Sequence, residues 1–167
     1  MKQPDILILG VGNLLLSDES VGVHIVNQLE RDYDFPPGVE LVDGGTAGME
    51  LLDFIASREH VLIVDAVLTG DAPGTVVTLQ DNEVPALFNN KVSPHQLGLC
   101  DLLGALKLTD ESPQNIFLVG VVPESVDPGL DMTSTVSRAV PAMKQALLAH
   151  LATLAVTPRA KAEATCV

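Results

Sequence analysis

The chain opens with a strand, a loop and a helix in immediate succession, and this unit constrains the fold more than any other stretch. Asp5-Ile-Leu-Ile-Leu9 is a short apolar run of the kind that forms a buried strand. Gly10-Val-Gly-Asn-Leu-Leu-Leu-Ser-Asp-Glu-Ser-Val-Gly22 follows, and Val21, Ile25, Val26 and Leu29 then share one face at helical spacing. A strand that passes through a loop into an amphipathic helix is the opening of an open α/β protein, and that loop is where such folds build sites. Gly10 and Gly12 permit a tight turn and close approach of other groups. Ser17 or Asp18 is expected to cap the helix, with Glu19 in its first turn.

Gly10-Val-Gly12 fits the first half of a dinucleotide fingerprint, but Leu15 stands where the third glycine belongs. The chemistry also opposes it. A pyrophosphate needs the helix N-terminus free of competing anions, and Asp18 and Glu19 occupy that place. Two like charges about 4 Å apart repel by about 1 kcal/mol in water and about 4 kcal/mol at an effective dielectric of about 20. The loop suits a cation better than a phosphate. The plainer alternative is that both acids serve only the helix dipole.

Downstream, strand-like runs alternate with helical patterns. This predicts a three-layer α/β domain over residues 1–156, with a mostly parallel twisted sheet, helices on both faces and one antiparallel strand. Val39 to Val42 is the second strand, followed by Asp43-Gly-Gly-Thr46, and helix 2 carries Met49, Leu51, Leu52 and Ile55. Asp43 reads either as the ribose-binding acid of a nucleotide fold or as a turn aspartate. Val61 to Val64 is a third strand, continuous in apolar residues as a doubly covered strand would be, and it ends in Asp65. A carboxylate there is costly without a partner. A turn cluster at Thr69 to Gly74 leads to a strand over Thr75 to Leu79, returning antiparallel.

Asp81 to Pro94 reads as a long loop that enters a helix with Leu99, Leu102, Leu103 and Leu106. His95 follows a proline that stiffens its approach. His24 and His150 fall inside helical patterns and His60 at a strand start on the other sheet edge, which leaves His95 as the loop histidine. A capping or surface role is the alternative for it. Asn115 to Val122 is the last strand, and Thr133 to Val156 a long helix expected to kink or restart at Pro141. Residues 157–167 lack periodicity and are expected to fray as a disordered tail.

The net charge is −13, which disfavours nucleic acid and anionic membranes and favours cations or basic segments. Cys100 and Cys166 suggest neither a disulfide nor a zinc framework. The apolar N-terminus is broken by Pro4 and Asp5 and lacks a signal-peptide pattern, and no apolar run reaches spanning length. A cytoplasmic monomer is expected. Glu19, Asp65 and His95, two carboxylates and an imidazole, form an incomplete divalent-metal set with open positions.

Seven segments resemble a known family: Gly10-Val-Gly-Asn13, Ser17-Asp-Glu19, Asp43-Gly-Gly-Thr-Ala-Gly-Met-Glu50, Val64-Asp65-Ala66, Ala72-Pro-Gly-Thr75, Ser93-Pro-His-Gln-Leu-Gly98 and Gly120-Val-Val-Pro-Glu-Ser125. They are similar, in order, to segments of the maturation endopeptidases of nickel-iron hydrogenases. The resemblance spans about Ile6 to the final helix and leaves out the tail. It implies a hydrolase that removes a C-terminal extension from the hydrogenase large-subunit precursor after nickel insertion. It also implies that Glu19, Asp65 and His95 contact the metal, and that Asp43 is the aspartate of the family's DGGT segment and a candidate base. The Ni2+ is expected to arrive with the substrate, held by the precursor's cysteine thiolates, although other divalent ions could occupy the site in vitro. Two other classes remain open at this point: a non-catalytic nickel-binding assembly chaperone, and a nucleotide-binding α/β enzyme using Gly10, Gly12 and Asp43.

Overall fold

The computed structural model describes residues 5–88 and 94–162. β1 (Ile6–Val11) leads through a 3-10 turn at Ser17–Ser20 into α1 (Val21–Asp32). Then come β2 (Tyr33–Asp34), β3 (Val39–Gly45), a 3-10 turn at Met49–Leu51, α2 (Leu52–Ile55), β4 (His60–Ala66) and β5 (Val76–Gln80). The chain continues through α3 (Glu83–Phe88), α4 (Pro94–Leu108), β6 (Asn115–Val121), α5 (Ser134–Thr153) and β7 (Arg159–Ala160). Five strands form the main sheet in the order β3-β1-β4-β6-β5. The first four run parallel. The expected antiparallel strand is β5, but its partner is β6, which slots between it and β4.

Side chains alternate between the two faces. Ile8, Leu62, Val64 and Val119 pack under α1 and α5, while Leu7, Leu9, Ile63 and Leu118 pack under α2 and α4. The central strands are therefore apolar on both sides, which is why they read as unbroken runs. Gly22 lets α1 approach the sheet: a Cβ there would collide with the Val64 carbonyl oxygen and lie 2.6 Å from that of Val11.

Four local features depart from the sequence reading. Part of the expected 81–94 loop is helical: α3 buries Val84, and Pro85 falls in its first turn, where no intrahelical N–H is required. Residues 89–93 of that loop lie outside the described residues. α5 runs as one helix through Pro141, with Val140 and Met143 buried on either side. No side chain caps α1; the chain winds through the 3-10 turn instead. The tail pairs at Arg159–Ala160 with β2, where Lys161 donates its N–H to the Asp32 carbonyl and its ammonium to the Glu30 carbonyl. A cation on the last carbonyls of a helix is a favourable cap, and sequence periodicity does not register it.

Candidate active site

In this sheet β1 is followed by β3 on one side and β3 by β4 on the other. The order reverses between β1 and β4, and open α/β sheets bind ligands outside the carboxyl ends of the strands at such a point. The sequence supplies both walls. The Ser17–Ser20 turn follows β1, and Asp65 is the next-to-last residue of β4. Asp65 is fully buried, and its carboxylate accepts the Ala66 N–H at 2.8 Å. Glu19 is buried as well.

Gly12 brings the two walls together. Its φ is +133°, and a Cβ there would collide with the Glu19 carbonyl oxygen and stand 3.8 Å from Asp65 Oδ1. Only glycine combines that backbone conformation with that proximity. Gly10 serves helix packing: a Cβ on it would meet the Gly22 carbonyl. Chain contacts and buried acids thus occupy the Gly10-x-Gly12 segment, which leaves no cradle for a pyrophosphate.

The expected site residues fall on one edge but not on one face. Asp65 alternates with Leu62 and Val64 and so projects toward the α4 layer with Ile63. Asp43 alternates the other way, with Val39 and Leu41 under α1. Its exposed carboxylate accepts the Gly45 N–H at 3.1 Å and the Asn27 amide of α1 at 3.4 Å. Asp43 pairs in register with Gly10, so it shares the carboxyl edge while facing away from Asp65. His95 is the second residue of α4, in its first turn rather than in a loop before it. The far end of α4 leads to Glu111, whose carbonyl accepts the Ser57 N–H beside the start of β4. α4 therefore runs back over β4 for about 22 Å, which sets the His95 backbone at the carboxyl edge on the Asp65 face. The His95 side chain lies outside the described residues. Among those described, no three His, Cys, Asp or Glu side chains form a metal-holding group. Glu19 and Asp65 are two of the expected three, and carboxylates are the hard oxygen donors that suit a divalent cation; near Gly12 it is the Glu19 backbone carbonyl and the Asp65 carboxylate that approach.

Sequence reasoning took Asp18 for a helix cap and missed its role. It is fully buried, and its role is not to cap α1. Oδ2 accepts the N–H groups of Glu124 and Ser125 at 2.9 and 3.0 Å, and Oδ1 accepts the Thr133 N–H at 2.7 Å. The Thr133 hydroxyl also donates to this carboxylate, while it accepts from Val136 N–H as the N-cap of α5. Ser17 adds an Oγ–H to the Asp127 carbonyl at 2.6 Å, and its N–H meets the Gly129 carbonyl at 3.0 Å. Asp18 thereby ties the turn that carries Glu19 to the loop after β6. The signal present in the sequence was the Gly120 to Ser125 segment, which carries two of its donors.

A family model described as hydrogenase maturation protease matches residues 23–150. The chain is 56% identical over 146 residues to the hydrogenase 2 maturation protease of Escherichia coli K12, covering 86% of this chain and 89% of that protein. Its fold matches the E. coli hydrogenase maturating endopeptidase HybD with a TM-score of 0.90 at 52% identity, over 93% of this chain and 97% of that one. It also matches a [NiFe] hydrogenase maturation protease HybD from Thermococcus kodakarensis, with a TM-score of 0.70 at 26% identity, over 85% and 95% of the two chains. With its switch-point loop, its three buried acids and these matches along most of its length, the chain belongs to the hydrogenase maturation protease family.

Proposed function

We propose that this protein is an endopeptidase that removes the C-terminal extension of a nickel-iron hydrogenase large-subunit precursor after nickel insertion. The observation that carries the reading is the burial of Glu19 and Asp65 on either side of Gly12 at the switch point, in a chain of this family. The precursor's nickel is treated as part of the substrate, presented on the precursor's cysteine thiolates. Glu19, Asp65 and His95 are assigned to contact it. These groups supply two oxygens and one imidazole nitrogen and no thiolate, so they hold a free ion weakly and a loaded precursor well. Nickel in that position orients the peptide and polarises the scissile carbonyl.

The chain's own task is to aim those donors. Asp18 fixes the turn of Glu19, and Gly12 lets the backbone of that turn lie close beside the segment facing Asp65. Asp43 faces α1, so proton transfer is assigned to one carboxylate of the Glu19–Asp65 pair rather than to Asp43. The test is incubation of the purified protein with nickel-loaded and nickel-free precursor, reading product mass. A shortened chain from the loaded form alone is expected. An intact loaded precursor after long incubation overturns the protease assignment.

A further inference from the structure

Large apolar side chains exposed to solvent are unevenly distributed. Leu14 and Leu15 lie on the loop after β1, and Val126 and Leu130 on the loop after β6. Met49 and Leu68 follow β3 and β4. All six stand at the carboxyl edge. The two loops that carry four of them are joined: the Gly129 N–H donates to the Leu15 carbonyl at 2.9 Å, the Ser17 N–H to Gly129, and Leu16 bridges Gly129. Asp18 clamps the same pair from beneath. Leu15 and Leu130, 62% and 71% exposed, are thus held outward on backbone that is hydrogen-bonded in place. Scattered leucines on a surface need no explanation, but a braced group bordering a candidate site marks an interaction face.

Charge indicates what that face meets. Asp43, Glu50, Asp71, Glu124, Asp127 and Asp131 are exposed at this edge, and its described loops contain no lysine or arginine. Arg31, Lys107, Arg159 and Lys161 lie toward the other edge, at the ends of α1 and α4 and on or just after the tail strand. A partner seated here is complementary if it presents apolar side chains bordered by cations.

We propose that the carboxyl edge is a preformed docking face, built on Leu14, Leu15, Val126 and Leu130, for an apolar patch of the precursor protein rimmed by lysine and arginine. This rests on the function proposed above. It adds that recognition extends beyond the metal and the scissile peptide to the body of the substrate. Because the loops are already ordered, little entropy is lost on docking.

The experiment measures affinity for purified nickel-loaded precursor, then product mass in the same samples. The proteins are the wild type, the double variant Leu15→Ser/Leu130→Ser, Asp131→Lys and Leu108→Ser. Leu108 is 90% exposed at the opposite end of α4 and serves as the control. The double variant should bind at least about tenfold more weakly while melting like the wild type. Asp131→Lys should bind about threefold more weakly, mainly through a slower on-rate that salt levels out. Leu108→Ser should match the wild type. Wild-type affinity in both the double variant and Asp131→Lys, with cleavage intact, overturns the docking face and leaves the protease reading standing. Weaker binding in the double variant without cleavage by any protein supports the face and retires the protease reading. A precursor neither bound nor cleaved overturns both.

Discussion

At the amino edge of the sheet the buried guanidinium of Arg58 donates to the Glu40 carboxylate and to the Phe54 carbonyl, both at 2.6 Å. At the carboxyl edge Asp18, Glu19 and Asp65 are all buried, and the described loops around them hold no lysine or arginine. The first edge balances its buried charge with an opposite one. The second gathers three buried carboxylates, of which Asp18 accepts the N–H groups of Glu124, Ser125 and Thr133 and Asp65 that of Ala66. Several buried acids gathered at a switch point are the kind of cluster from which sites are built, whereas the Arg58 arrangement is that of a closed joint.

The sharpest way to break this contrast is to remove one donor from the carboxyl edge. His95→Ala should lower processing by about a hundredfold or more with a thermal melt close to wild type, while His24→Ala processes normally. Wild-type cleavage by His95→Ala, measured by product mass, would remove His95 from the site.

Asp18 comes next, because it belongs to the carboxyl edge by position and to the scaffold by its bonds. Asp18→Ala leaves the N–H groups of Glu124, Ser125 and Thr133 without their acceptor. We expect a loss of about 3–5 kcal/mol in denaturant unfolding, together with a fall in kcat at temperatures where the variant is still folded. Unchanged kcat in the folded variant would confine Asp18 to stability.

Arg58→Met tests the opposite edge. It should cost about 2–3 kcal/mol, the buried pair being partly solvated on its Glu40 side, and leave kcat and KM unchanged. A kinetic defect there would blur the distinction between the two edges.

The smallest effect is expected at His150, also near the amino edge. Its ring stacks on Phe117 with centroids 3.8 Å apart and planes 2° from parallel. Burial, and then the neighbouring His60, hold its imidazole below the ordinary histidine range, against a smaller opposing pull from Asp81. The unfolded chain therefore binds the proton first. The contribution of His150 is complete above about pH 6.5 and is lost as pH falls through the folded-state value. His150→Phe keeps the stack and should flatten this acid-side loss in denaturant titrations, with normal processing at neutral pH.

What the sequence disclosed follows the reach of each signal. Local periodicity placed β1, β3, β4 and β6 and the buried face of α1, because doubly covered strands and amphipathic helices carry their patterns within a few residues. The edge strand β5 read correctly as antiparallel, but its partner is set by a strand about forty residues later, which no local window sees. Asp18 shows the same limit: beside a helix start it is indistinguishable from a cap, and its acceptor role depends on groups 106 to 115 residues away. Arg58 gave no signal at all, since one arginine before a strand looks like surface until Glu40 and Phe54 close around it. Asp43 and Asp65 both read as strand-end acids; only the pleat, counted through each strand, separates their faces.

The buried acids of the carboxyl edge are proposed to recognise a cation carried by the substrate. Glu19→Gln keeps the size of the side chain and removes its charge. The most direct measurement is a pull-down of nickel-loaded and nickel-free precursor with wild type and Glu19→Gln. Preferential capture of the loaded form by wild type, lost in Glu19→Gln with the capture of empty precursor unchanged, is the result expected here. Equal capture of both forms by wild type would contradict it and leave a reader of peptide sequence alone.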